Sequence, residues 1–194
     1  MRLTPDRRRE RILAAAAELF RSHGLAMAGM DAIGAAAGIS GPAIYRHFAG
    51  KHEILLALRA DAGAQAIAAI EALPAEAGIP EFADTLVAHA ARARLLVTLL
   101  QDNAFPANSP GRRQLARLRG ELVSSHSRLL RRARPELTAR GARIRIEAAV
   151  AIVRSLAASA RATPGPADRQ LLSRMVAAVL ATQDTPLPAS RLET

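Results

Sequence analysis

The feature that most limits what this chain can become is the break Gly38-Ile39-Ser40-Gly41-Pro42, set between two short stretches of helical spacing. Gly38 stands where a residue just past a helix end often needs positive φ, which glycine takes without a Cβ clash. Ser40 then opens the next helix. Its hydroxyl is placed to accept a bond from one of the first free backbone N–H groups, and Pro42 falls in the first turn, where a missing N–H costs nothing. Two short helices joined by a tight glycine-containing turn form a helix-turn-helix, whose second member lies in the major groove of DNA.

On that second helix Ile44 and Phe48, spaced by four, face inward and leave Gly41, Pro42, Ala43, Tyr45, Arg46 and His47 facing out. The small residues at the tip allow approach to base edges, while Tyr, Arg and His can reach phosphates. Gly50 is expected to end this helix, with Lys51 and His52 beginning the next. A cation at a helix N-terminus opposes the macrodipole at a cost of up to about 1 kcal/mol. An external anion reverses that cost, so Lys51, the chain's single lysine, makes a phosphate site with the helix N–H groups.

In this order and spacing, Arg11-Ile12-Leu13, Leu19-Phe20, Gly24, Met30, Ile33, Ala37-Gly38-Ile39-Ser40, Ile44-Tyr45-Arg46-His47-Phe48 and Lys51 resemble the N-terminal domain of TetR-type (TetR/AcrR) transcriptional regulators. The resemblance covers roughly the first third of the chain and departs from the family pattern at Gly29, where a threonine is common, and at Gly34 of the Ile33-Gly34 pair. It implies that Pro42, Ala43 and Tyr45 sit nearest DNA, with His47 and Lys51 on phosphates. It also implies a second domain that holds a small molecule and sets the distance between two heads.

The half-apolar composition suffices for a core, and the formal charge of +10, nearly all from arginine, suits an anionic partner or reflects an arginine-rich composition. Absence of cysteine excludes disulfides, thiolate zinc sites and a cysteine nucleophile. The apolar run from Ile12 to Ala17 is too short for a convincing signal peptide, and no stretch reaches the length of a membrane span. A bacterial cytoplasmic location beside the nucleoid is expected.

Thr4-Pro5-Asp6 is a helix start, and that helix is expected to end near His23-Gly24 with Ile12, Leu13, Ala16, Leu19 and Phe20 on one face. Arg7, Arg8, Arg9 and Arg11 crowd its beginning, as DNA contacts or as a solvated basic face. A second helix spans about 30–37, and a longer amphipathic one runs from Lys51 to about Leu73. Helical spacing resumes over 81–103, in one piece or two; 103–111 is a loop, and a further helix carries Leu115, Leu118, Leu122, His126 and Leu129. The last two helices, about 138–162 and 166–182, are apolar on two sides. They need two partners, the body of the chain and the same pair in a second subunit, unless they are simply a broad core.

The expected fold is therefore all-α, with about nine helices: a three-helix helix-turn-helix domain over 1–50, a helical ligand-binding and dimerisation domain over 51–182, and a tail over 183–194. No Gly-x-Ser-x-Gly elbow, phosphate-binding glycine loop or His-Glu-x-x-His helix is present, so no enzyme, catalytic residue, metal or cofactor is expected. DNA binding is assigned to Ser40, Gly41, Pro42, Ala43, Tyr45, Arg46, His47 and Lys51. Phe82, Leu86, Leu95, Leu99, Phe105, Leu122 and His126 are the candidate ligand lining, with packing as the alternative role for each. Arg92, Arg94 and Arg119 lean toward a lipophilic or anionic effector, and the scarcity of aromatic residues argues against a cationic drug. The expected function is a homodimeric repressor on a palindromic operator, released by a small molecule. An activator with the same head, or a non-specific nucleoid protein, is the alternative.

Overall fold

The computed structural model describes residues 4–93, 105–159 and 165–183, and these form eight α-helices. They are α1 (Pro5–Met27), α2 (Met30–Ala36), α3 (Gly41–Ile44), α4 (Lys51–Glu71), α5 (Ile79–Arg92), α6 (Pro110–Ala133), α7 (Ala139–Ser159) and α8 (Pro166–Ala181). The expected count of about nine allowed a second piece within 81–103, but α5 ends at Arg92 and 94–103 lie outside the described residues.

Helix starts follow local chemistry. Thr4 caps α1 by accepting from Arg7 N–H at 3.4 Å, with Pro5 in the first position. Ser109 caps α6 in the same way through Arg112 N–H at 3.2 Å. Gly24 interrupts α1 at φ 78°, where the sequence marks a helix end, yet helical residues resume as far as Met27.

Two cores result. Ile12, Phe20, Ile33, Ile44, Phe48 and Ile54 fill the head formed by α1 to α3 and the start of α4. In the body, Ile70, Val87, Leu130, Ile146, Val176 and Leu180 lie among α4 to α8. One helix, α4, therefore supplies Ile54 and Leu55 to the head and Ile70 to the body.

Phe105 departs from expectation. Rather than lining a body cavity, it is buried in the head core, its ring 5.3 Å from that of His52. Only glycine fits beside it at 111, since a Cβ there would lie 2.3 Å from Phe105 Cδ1. At the far end of the body Arg145, buried, donates to the Thr182 carbonyl at 2.6 and 3.0 Å and to the Gly141 carbonyl at 3.0 Å. Arg134 adds bonds to the Leu180 and Thr182 carbonyls, so two cations meet the negative end of α8. Among the described residues no helix is long and apolar enough to cross a membrane.

Candidate nucleic-acid interface and regulatory cavity

The turn between α2 and α3 closes by backbone geometry. Gly38 takes φ 69° and its N–H donates to the Ala35 carbonyl at 3.0 Å, while Ile39 N–H reaches back to the Gly34 carbonyl at 2.9 Å. This pair of bonds is the Schellman ending, which needs a left-handed residue at position 38. At Gly41 a Cβ would come within 2.6 Å of Asp31 Oδ1 on α2, a contact that the exposed carboxylate can relieve by turning away.

Ser40 occupies the cap position of α3, but its hydroxyl makes no capping bond; its carbonyl instead accepts from Ala43 N–H at 2.9 Å and Ile44 N–H at 3.2 Å. The exposed hydroxyl is left on the outer face. Regular helix ends at Ile44, shorter than expected, and turn bonds such as His47 N–H to the Ile44 carbonyl at 2.9 Å carry the chain to Phe48. Gly50 does not end α3 in a left-handed conformation. It is extended and precedes α4, where its carbonyl accepts from Glu53 N–H at 3.1 Å. Pro42, Tyr45 and Arg46 are exposed, Gly41, Ala43 and His47 half-buried, and Ile44 and Phe48 buried. The Arg9 guanidinium lies 5.0 Å from the centre of the Phe48 ring, which gives that arginine a packing role.

Lys51 has a structural duty that its sequence context does not announce. Its Nζ donates to the Leu25 carbonyl at 2.9 Å and the Ala26 carbonyl at 3.1 Å, tying the start of α4 to the end of α1. An ammonium has three donors, so one remains for a phosphate. Glu53 accepts from Ala49 N–H at 2.6 Å and places an acid in the first turn of α4.

In the body, a cavity of about 120 Å³ opens between α4, α5, α6 and α7. Of the candidate lining residues, Leu86, Leu122 and His126 face this cavity together. Phe82 does not: it is buried in the body core, with its ring edge-on to that of His126 at 6.5 Å. Leu95 and Leu99 lie outside the described residues. The sequence reading missed Arg59 on α4 and Arg154 on α7, which join Arg119 of α6 on the cavity wall. Among its described lining residues there is no carboxylate. Burial, then the neighbouring Arg119 and Arg154 guanidiniums, lower the pKa of Arg59.

His126 is 1 % exposed; its Nδ1 lies 2.8 Å from the Leu122 carbonyl, and its Nε2 has no hydrogen-bond partner among the described residues. The tautomer that satisfies that carbonyl carries the proton on Nδ1 and leaves Nε2 a bare acceptor. Burial lowers the His126 pKa most; the Leu122 bond raises it, and His89 and Arg59 lower it further. His89 also lines the cavity, and its pKa is lowered by burial and by Arg92. Among the described residues no group of three or more metal-ligating side chains comes together.

Residues 12–58 match the family model described as bacterial regulatory proteins, tetR family. Over 57 residues the chain is 47% identical to the HTH-type transcriptional activator FasR of Mycolicibacterium smegmatis, a match covering 29% of this chain and 26% of that protein. The likeness to solved structures runs over nearly the whole chain. A putative TetR-family regulator from Mesorhizobium loti is 20% identical, with 92% of this chain and 96% of that one covered at a TM-score of 0.71. The transcriptional regulator FadR from Bacillus subtilis, solved in complex with stearoyl-CoA, is 21% identical, with 88% and 96% covered at 0.66. Residues 12–58, with the helix-turn-helix built from Gly38 to Phe48, thus carry the DNA-binding domain of the tetR family, and the chain shares its all-α fold with solved structures of that type.

Proposed function

We propose that this regulator is a homodimeric repressor that binds a palindromic operator in the bacterial cytoplasm and is released by a small-molecule effector held in the body cavity. The observation that carries this reading is the exposed first turn of α3, where Pro42 and Tyr45 face solvent beside Arg46 while Ile44 and Phe48 anchor the helix from behind. Gly41, Pro42, Ala43 and Tyr45 read bases, while Ser40, Arg46, His47 and Lys51 hold the backbone.

Dimerisation is supported by an unpartnered apolar face: Ile144 on α7 and Leu171 and Met175 on α8 are 55 %, 57 % and 47 % exposed. Such a face is costly in a monomer and is covered when two α7–α8 pairs meet about a two-fold axis. That symmetry sets two heads on successive major grooves of one DNA face.

Coupling is supported by α4. Lys51 ties its first turn to α1, and about 12 Å further along the same rod Arg59 reaches the cavity. A second cleft of about 330 Å³ between α1, α4 and α5 shares Ala62, His89 and Ala93 with the cavity, so a shift of α4 alters the seat of the head on the body. An effector that binds the DNA-incompetent arrangement more tightly lowers operator affinity by linkage. The solved relative in complex with stearoyl-CoA supports a metabolite as effector. Activation stands as a second reading because FasR, 47% identical over 57 residues, is an activator. The position of the operator relative to the promoter separates the two.

The division of labour is testable by titrating labelled duplexes. Lys51→Ala should weaken binding to every sequence and flatten its salt dependence, whereas Ala43→Ser should change which sequence is preferred. Loss of preference to the same degree in both variants contradicts this assignment.

A further inference from the structure

A surface that meets a polyanion gains nothing from a carboxylate turned toward it, so each acid of the head calls for an account. Glu18 is bound to Arg21, Glu53 accepts from Ala49 N–H, Asp6 stands in the first turn of α1, and Glu10 faces the cleft against the body. Asp31 is different. It is exposed, and no hydrogen bond or ion pair engages it among the described residues. Its carboxylate lies at the reading tip: a Cβ on Gly41, the first residue of α3, would come 2.6 Å from Asp31 Oδ1 and 3.6 Å from its Cγ. The space that a side chain at 41 would fill is thus taken by a functional group lent from α2. The bond from Ile39 N–H to the Gly34 carbonyl at 2.9 Å ties α2 to the start of α3, so the carboxylate travels with the tip wherever that tip docks. An acid in the first turn of α2 suits that helix's dipole, but a place beside Gly41 is not needed for it.

Resting on the reading of DNA by α3 proposed above, we infer that Asp31 is a specificity-determining residue. Its carboxylate accepts a hydrogen bond from the N4 amine of a cytosine in the major groove and so fixes cytosine at one position of each half-site. An ionised carboxylate has acceptors only, and the donors on the major-groove edges are cytosine N4 and adenine N6. Adenine sets its N7 acceptor beside that donor, while guanine and thymine offer acceptors that repel the carboxylate. Cytosine presents a donor with no acceptor on the same base. Gly41, Pro42 and Ala43 are small, which leaves a short side chain on α2 able to reach the base edge. In the free protein the exposed carboxylate is hydrated and the head bears no cost. On DNA it repels phosphate at every site, and that repulsion is offset only where cytosine lies opposite. Asp31 is thereby a penalty on wrong sequences as much as an attraction to the right one.

The test selects duplexes from a randomised pool with the full chain as wild type, Asp31→Ala and Asp31→Asn, and then titrates the selected sites. The wild type should fix cytosine at one position per half-site. Asp31→Ala should lose that preference by about ten-fold and keep the others, and Asp31→Asn should turn it toward adenine, whose N6 and N7 an amide meets together. Because asparagine is isosteric with aspartate, a change of preferred base in that variant is not a loss of fold. A substituted duplex isolates the contact. N4-methylcytosine at that position puts a methyl where the outward N–H stood, and should weaken the wild type about ten-fold while leaving Asp31→Ala unaffected. If Asp31→Ala binds every duplex more tightly with its preferences unchanged, the carboxylate only repels phosphate and the inference is overturned; an Asp31→Asn variant with the wild-type preference overturns it too. A wild type that selects a defined site without a cytosine dependent on Asp31 refutes this inference alone, whereas one that selects no site refutes the reading by α3 as well.

Discussion

Two cations on α4 lead opposite lives. Lys51, at the head end, is held by the carbonyls of Leu25 and Ala26 through two of its three donors, and nearby Glu53 accepts from Ala49 N–H. Arg59, at the body end, faces two further guanidiniums and a histidine with an unpartnered nitrogen. The head is internally complete, as a preformed reader of DNA must be to avoid spending binding energy on its own ordering. The body carries at least one unmet polar demand among the described residues, His126 Nε2, which a ligand can meet and which therefore gives a ligand leverage. Stability and responsiveness have been placed in different parts of one chain.

The largest expected effect breaks the head. Phe105→Ala removes a ring from the head core and should cost about 3 kcal/mol, read as a lower denaturant midpoint. Gly111→Ala should act in the same direction, since the added methyl collides with that ring.

Next, the contrast between an arginine held by backbone carbonyls and one on the cavity wall is sharpened by a matched pair. Arg145→Met leaves the Thr182 and Gly141 carbonyls without a charged donor and should cost about 2 kcal/mol. Arg59→Met should have the opposite sign, a gain of about 0.5 to 1 kcal/mol. Losses of similar size in both would erase the distinction between the carbonyl-bound Arg145 and the cavity-wall Arg59.

A pH series probes the same distinction. The His126 pKa is lowered in the folded chain, so below its ordinary value near 6.5 the unfolded state binds a proton that the folded state refuses. Stability contributed by neutral His126 is therefore full above that pH and declines as pH falls toward the depressed folded value, with His89 acting in the same sense. The melting temperature should fall from pH 7 to pH 5, and His126→Asn should flatten that slope. The smallest effect is in the head: Gly29 begins α2 at φ −77° and ψ 155° with open space around it, so Gly29→Thr should add a cap worth a few tenths of a kcal/mol. Tighter operator binding in that variant would identify the hydroxyl as a phosphate contact as well.

What could be read from residues alone follows the range of the forces involved. Phe20, Ile33, Ile44 and Phe48 were legible because helical periodicity and the Gly38 turn are local, and the family resemblance rests on the same stretch. Ser40 was placed correctly as a cap position, yet which group makes the bond depended on a backbone geometry that sequence does not encode. Phe105 sits alone in a loop without periodicity, so nothing local points it at the head rather than the cavity. Leu86, Leu122 and His126 could be assigned to inward faces, whereas Arg59 could not: an arginine on a helix is ordinarily solvated. Its signal was present, three and seven residues before Ala62 and Ala66 on the same stripe, but only the packing of α6 and α7 brings Arg119 and Arg154 against it.

The central claim is that the first turn of α3 reads a defined DNA sequence. Genomic fragments selected by the full chain should yield an operator, and competition between that operator and a scrambled duplex of equal length at physiological salt measures the claim directly. The account predicts a preference of about a thousand-fold or more. Equal affinity for the two duplexes, with all binding lost as salt is raised, would contradict it.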